Sequence, residues 1–315
     1  MKSEFIYETA PFPACHASTI AETKSGSLVA AWFGGSRESH PDTAIYVSRY
    51  ERGSWTAPVE VANGSTGHNR LASYNPVLFQ PSRGHLMLFY KVGTGPRTWW
   101  GRMMTSTDEG WNWTRPKDLP PGILGPIKNK PIEWNGGILC PSSTEDHGWR
   151  VHFELTHDLG KTWSTTGPLN NDREIGAIQP SILPLGGDRL RAIGRTQQGK
   201  LFLIDSLDGG ATWGQMRLID VLNPNSGTDA VRLSDGRFLL VYNNSRDHRT
   251  PLNVALSVDG EHWKPVVTLE SEPGEYSYPA VIQASNGKIH ITYTWQRQRI
   301  KHVVLDPALL ELPGK

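Results

Sequence analysis

Four tryptophans, Trp113, Trp163, Trp213 and Trp263, stand 50 residues apart, and each ends a copy of one short phrase. The copies read Ser106-Thr-Asp108-Glu-Gly110-Trp-Asn-Trp113, Thr156-His-Asp158-Leu-Gly160-Lys-Thr-Trp163 and Ser206-Leu-Asp208-Gly-Gly210-Ala-Thr-Trp213. A fourth, one residue shorter, reads Ser257-Val-Asp259-Gly260-Glu-His-Trp263, and a worn fifth reads Ser48-Arg-Tyr-Glu-Arg-Gly53-Ser-Trp55. A fixed period of this size is the mark of a repeat architecture. Within each copy the Asp can accept backbone N–H groups of its own turn, and the Gly supplies the positive φ that the turn needs. The Trp supplies a broad apolar plate for packing on a neighbouring unit. The four are expected in equivalent, largely buried positions between repeats.

A second repeat counts the units. Between the tryptophans lie hairpin phrases, each an apolar run, a glycine turn and another apolar run. They open at Ser18, Pro76, Pro131, Pro180, Ala230 and Pro279 and turn at Gly26, Gly84, Gly137, Gly187, Gly236 and Gly287. Six units of roughly fifty residues, each long enough for four strands, predict an all-β, six-bladed β-propeller. The repeat fills residues 1–315, so a single domain is expected. The last blade is expected to close by pairing a tail strand around Ile300–Leu305 with the N-terminal Phe5–Glu8.

Composition sets limits on partners. The formal net charge is +1, which gives no global attraction to nucleic acid or to an anionic membrane surface. No apolar run of roughly 18 residues is present to span a bilayer. No apolar leader follows Met1, so a cytoplasmic location is expected. Cys15 and Cys140 fall in different repeats and are expected to be free thiols. The 11 His show no paired metal-ligand spacing, so neither a metal nor another cofactor is expected.

The Ser/Thr-x-Asp-x-Gly-x-Thr-Trp phrase resembles the Asp-box, or bacterial neuraminidase repeat, and the six-unit arrangement resembles the sialidase superfamily over essentially the whole chain. The box also decorates non-catalytic propellers, so Asp108, Asp158, Asp208 and Asp259 are expected to be structural. In such a fold the innermost strands line a central channel, and ligands sit over one mouth. The residue before each hairpin phrase is expected to face that mouth: His16, Asn75, Lys130, Gln179, Asp229 and Tyr278. Six polar residues at equivalent positions are not what core packing selects.

The resemblance implies specific roles. Arg37 and Asp42, in Phe33-Gly-Gly-Ser-Arg37-Glu-Ser-His-Pro-Asp42, keep the five-residue spacing of the sialidase segment that carries the acid/base Asp. Arg249 resembles the Arg that clamps a substrate carboxylate, a task suited to a guanidinium fork. Arg195 is the second carboxylate ligand, with Lys200 in reserve. The segment Glu275-Tyr276-Ser277-Tyr278-Pro279 resembles the one that carries the tyrosine nucleophile. A neutral phenol avoids repulsion by the carboxylate on the anomeric carbon. The family pattern selects Tyr276 and the internal count selects Tyr278. Two residues along a strand share a face, so both stay open.

Two groups depart from the pattern. The opening Arg-Ile-Pro phrase of sialidases is absent, and His16 is its nearest stand-in. The Glu that would take the tyrosine proton falls at Gln179, and an amide cannot do so. Cations and tryptophans in blades two and three, His68, Arg70, Lys91, Arg97, Trp99, Trp100, Lys128 and Lys130, suit an acidic sugar. There His16 or His68 could act as base in a β-elimination. The implied function is a sialidase-like exo-glycosidase acting on a terminal acidic sugar (sialic, other ulosonic or uronic acid) with altered catalytic groups. A polysaccharide or oligosaccharide lyase and a non-catalytic glycan-binding propeller are the alternatives. Oligomeric state is left open.

Overall fold

The computed structural model describes residues 1–67 and 69–312. Apart from a short 3-10 turn at Pro307–Leu309, every element of the described residues is a strand. Strands alternate with turns because each apolar run is short, rich in branched residues and closed by glycine or Asp-x-Gly.

Four sheets hold four antiparallel strands each. One runs Ile132–Trp134, Gly137–Thr144, Arg150–Thr156 and Ser164–Thr165, and the next Ala177–Gly186, Arg189–Thr196, Lys200–Ser206 and Arg217–Leu222. Asp229–Arg232, Phe238–Asn243, Leu252–Ser257 and Lys264–Glu270 form the third. The fourth takes Tyr276–Gln283, Ile289–Trp295 and Arg299–Leu305, and its outer strand is Lys2–Phe5 from the other end of the chain. That closing strand lies nearer the N-terminus than Phe5–Glu8, the stretch expected from sequence. The fifth sheet has nine strands. Its halves, Ala14–Glu22 to Val59–Ser65 and Arg70–Phe79 to Lys117–Asp118, are joined, among the described residues, by the two residue pairs Gly64↔Leu71 and Ser65↔Arg70.

The innermost strands of successive sheets pack side by side. The strand Gly137–Thr144 closes the ring by packing on Ala177–Gly186 and, through Ile138, by joining the cluster of Val77 and Phe89, so the molecule is a propeller. Ala14–Glu22 packs on both Tyr276–Gln283 and Arg70–Phe79, and Asp229–Arg232 bridges Ala177–Gly186 to Tyr276–Gln283. Hydrogen bonds stitch them: Leu78 N donates to Thr19 Oγ1 (3.1 Å), Ala230 N to Ser181 Oγ (3.0 Å) and Val281 N to Asp229 Oδ2 (2.8 Å). The apolar clusters lie between successive sheets rather than within one.

The repeated turns follow the third strand of their sheets. Asp108 accepts from Ser106 Oγ and Asn112 N, and Asp158 and Asp208 repeat the pattern with Thr156 and Thr162, and with Ser206 and Thr212. Hydrogen bonds to their own turns hold Asp108 and Asp158 at about 2. The four tryptophans are half-buried rather than fully enclosed. Three donate Nε1–H to the turn glycine, and Trp213 stacks on Phe153 of the preceding sheet at 4.2 Å. Second-to-third-strand loops lie at the opposite end from these turns, because successive antiparallel strands reverse direction.

Candidate functional site

Four innermost strands are broken by a β-bulge, with register shifts at His16/Thr19, Tyr74/Val77, Ile178/Ser181 and Ser277/Ala280. Each bulge holds a residue at positive φ: Ala17 (57°), Asn75 (41°), Gln179 (56°) and Tyr278 (53°). In the sheet that begins with Ile132–Trp134, Lys128 (68°) holds the equivalent place just ahead of its first strand. A bulge re-aims the side chain it carries, and here it turns Gln179, Lys128 and Tyr278 inward against one another.

Tyr278 is the centre of the group. Its hydroxyl accepts from Arg195 Nη1 at 2.9 Å and from Gln179 Nε2 at 3.4 Å, while Gln179 Oε1 accepts from the same guanidinium at 3.2 Å. The guanidinium carbons of Arg195 and Arg249 each lie 5.7 Å from its ring centre, and Lys128 Nζ lies 6.0 Å away. The His16 ring sits 4.1 Å from the phenol ring, with Nδ1 3.0 Å from Thr294 Oγ1. Burial, followed by the charges of Arg297, Arg249, Arg195 and Lys128, holds His16 well below the ordinary imidazole range, so it is neutral. Lys128 is fully enclosed, bonded to Asn129 Oδ1 (2.8 Å) and to the carbonyls of Thr228 (2.6 Å) and Pro279, and burial brings it down to about 7. A Cβ at Gly227 would stand 3.0 Å from Lys128 Cε and 3.3 Å from Tyr278 Cδ2, so this approach favours glycine.

Two arginines share one carboxylate. Glu275 Oε1 accepts from Arg249 Nη1 at 2.9 Å and from Arg297 Nε at 2.7 Å, and Arg297 Nη1 also pairs with Glu38 at 2.6 Å. Burial raises the Glu275 carboxyl, but Arg297 and Arg249 outweigh it and hold it below its ordinary range. Arg195 is fixed by Asn225 and lies over the Trp149 ring at 5.0 Å. Guanidinium groups from two sheets therefore lie over one phenol, and Arg297 from a third shares Glu275 with one of them, an arrangement suited to a carboxylate or another small oxyanion.

Several expected positions need correction. Tyr276 is not in the site. It is buried in the core between the last two sheets, where its hydroxyl accepts from Gln296 at 3.2 Å. The bulge between Ser277 and Ala280 breaks the two-residue alternation that would have put both tyrosines on one face. Lys130 lies two residues beyond the bulge register. Its ammonium pairs with Asp229 at 2.9 Å, and it lines a small separate cavity with Ser181, Ile182 and Ala230. Asp229 in turn accepts Val281 N, so that pair ties inner strands together. Lys200 pairs with Asp220 on the exposed surface.

The remaining candidates lie around the same end. Arg37 is exposed beside His16, Glu38 and Arg297. Asp42 stands in the same second-to-third-strand loop, where partial burial would raise its carboxyl. Hydrogen bonds from Ser36 (N at 3.1 Å, and Oγ) and contact with His40 Nδ1 (2.7 Å) outweigh that and hold it below the ordinary range. Arg70 donates to the Asp42 carbonyl at 3.0 Å. Arg97 is exposed on a cavity of about 590 Å³ with Trp99, Trp100 and Glu145. Lys91 is buried and donates to the Pro126 carbonyl at 2.9 Å. His68 lies outside the described residues. Both cysteines are buried and free.

Sequence reasoning missed Arg297, Glu275 and Glu145. Glu275 was visible beside the tyrosine segment. Arg297 was hidden in a hairpin turn between the strands Ile289–Trp295 and Arg299–Leu305, where turn chemistry favours Asn or Gly.

Solved structures share the fold. A protein of unknown function from Dyadobacter fermentans superposes with a TM-score of 0.80 at 19% identity, covering 97% of this chain and 98% of that one. The NanB sialidase of Streptococcus pneumoniae gives 0.80 at 14% identity, covering 98% of this chain and 71% of that one. The intramolecular trans-sialidase of Ruminococcus gnavus gives 0.77 at 14%, covering 99% of both. No curated protein sequence matches. The BNR repeat-like domain model matches residues 26–291, most of the chain, and the protein belongs to that family.

Proposed function

We propose that this chain is a six-bladed propeller whose mouth binds the carboxylate of a terminal acidic sugar. In that count the nine-stranded sheet is two blades joined at one edge, and the repeated turns are Asp-boxes. The reading rests on one observation: Arg195 and Arg249 lie over Tyr278, while Arg297, joined to Arg249 through Glu275, adds its charge beside a histidine held neutral. Arg297 takes the place left by the missing opening arginine, reaching the site from the last hairpin. Substrate carboxylate would compete with Glu275 for two of these forks. The sialidase and trans-sialidase named among the structural neighbours make a sialic acid or a related ulosonic acid the first ligand to try.

On this reading the chain is a sialidase-like exo-glycosidase with Tyr278 at the reacting centre and no carboxylate to take its proton, since Gln179 occupies that place. A second reading is a lyase acting on a uronic acid. The neutral imidazole of His16 against the Tyr278 ring favours it, because a base and a phenol acid are then adjacent.

Calorimetric titration with a free ulosonic acid and with its neutral methyl ester tests the binding. The acid should bind, the ester should bind at least tenfold more weakly, and Arg249→Ala should remove most of the difference, as expected for charge-assisted bonds of about 1.5–3 kcal/mol. Equal affinity for acid and ester would dismiss the carboxylate reading. An ultraviolet-absorbing unsaturated product from a uronate-capped oligosaccharide would select the lyase.

A further inference from the structure

We propose that Glu145, not Asp42, hands the proton to the leaving oxygen when a glycosidic bond is broken over Tyr278. The inference rests on the acidic-sugar reading of the site and adds a proton donor to it. Glu145 follows directly on the strand Gly137–Thr144, and that strand leads straight to the site. Ser143 Oγ, two residues earlier, accepts the backbone N–H of Gln179 at 3.2 Å. The returning loop brings Trp149, whose carbonyl accepts Ala177 N at 3.3 Å and whose ring lies beneath Arg195 at 5.0 Å. Glu145 is thus held at the rim, beside the Arg195 corner.

On its other side lies the cavity of about 590 Å³ lined by Arg97, Trp99, Trp100, Pro121 and Thr144. Glu145 forms part of that wall, so its carboxyl stands between the Arg195 corner and a space large enough to hold a leaving group. Burial raises its carboxyl above the ordinary range despite the opposing charges of Arg195 and Arg97 and the side chain of Trp149, and Glu38 across the mouth adds to the rise. A raised carboxyl keeps its proton nearer to neutral pH, as a general acid must. Asp42 lacks this character. Its carboxylate already accepts from Ser36, lies against His40, and is held below the ordinary range.

The step balances simply. The anomeric C–O bond breaks, its electron pair passes to the leaving oxygen, and that oxygen takes the Glu145 proton. Water then bonds through its oxygen to the anomeric carbon, replacing the broken bond, and gives up a proton to the Glu145 carboxylate.

The test compares two ulosonic acid ketosides in the full chain, one with a poor alkyl leaving group and one with an activated aryl leaving group that needs no proton. Glu145→Gln should lose about 10²–10⁴-fold on the alkyl ketoside and less than about tenfold on the aryl one, and Glu145→Asp should recover part of the loss. Asp42→Asn should lack that dependence on the leaving group. Equal losses on both ketosides for Glu145→Gln, or leaving-group dependence that follows Asp42→Asn instead, would overturn the assignment. Titration of each variant with the free acid is run alongside to show that the site is intact. Wild-type protein that binds the acid and cleaves neither ketoside removes the proton-donor role and leaves the binding reading standing. Absence of binding removes the reading itself.

Discussion

An amide can share a hydrogen bond with a phenol but cannot take its proton at neutral pH, and Gln179 makes that contact with Tyr278 at 3.4 Å. The unmodified protein is therefore expected to hydrolyse a fluorogenic sialoside slowly, at a rate that still permits the ketoside comparison. Gln179→Glu would place a carboxylate near Arg195, whose Nη1 already lies 3.2 Å from the amide oxygen. General-base help is typically worth about 10²–10⁴-fold, so turnover should rise measurably in a fluorescence assay. Robust hydrolysis by the wild type would show that Tyr278 ionises without a carboxylate. Trp213 gives a second residue-scale expectation. It stacks on Phe153 at 4.2 Å but is only half-buried, so Trp213→Ala should cost about 3 kcal/mol, the lower end for a large aromatic. Urea denaturation measures it, and a cost under 1 kcal/mol would remove the tryptophans from the energetics of sheet packing.

The last hairpin shows why one part of the site was legible and another was not. Gln296 and Arg297 both have positive φ, at 55° and 59°, and Gln298 N closes the turn on the Trp295 carbonyl at 3.0 Å. Such a turn favours Asn-Gly, and a side chain held there costs roughly 1–2 kcal/mol. Arg297 opposes the local rule, so no propensity argument could find it. Its reason is the shared carboxylate of Glu275. Arg297→Gly should therefore melt no lower than wild type while binding an acidic sugar at least tenfold more weakly. Coincident loss of melting temperature and binding would mean that the arginine is structural. By contrast, the repeated turns and hairpin glycines could be read in advance, because their chemistry is complete within eight residues. At Lys130 and Asp229 the expected inner-ring positions lie two residues beyond the bulge register. There the first strand is short, Ile132–Trp134 in one case and Asp229–Arg232 in the other, and the bulge register falls outside it. The tyrosine ambiguity has the same source: alternation predicts faces only where no bulge intervenes.

At the scale of the whole molecule, the ring closes where Lys2–Phe5 joins Arg299–Leu305. Beneath this seam His290 and His302 stack, with Nδ1 of the first 3.0 Å from Nε2 of the second, and His302 Nδ1 lies 3.1 Å from Glu4. Burial brings His290 down to about 4 and also lowers His302, against the pull of Glu4. Both imidazoles bind protons more readily in the unfolded chain, so acid favours unfolding. The His290 contribution is complete above about pH 6.5 and is lost as pH falls toward about 4, on the order of 3 kcal/mol, and His302 acts in the same direction. Melting temperature should drop across that window and His290→Phe should flatten the drop. An unchanged profile in that variant would place the acid sensitivity elsewhere.

The seam also sets how the molecule responds to force. Lys2 lies opposite Val304 and Phe5 opposite Lys301, so the two ends of the paired stretch leave from the same side. A pull applied between Lys2 and Leu305 loads these rungs one at a time, as a zipper is loaded, rather than together in shear. Four residues of edge strand then separate before any inner strand bears tension. The protein should open at low force in an optical trap, by an early step of a few residues that precedes the rupture of the ring.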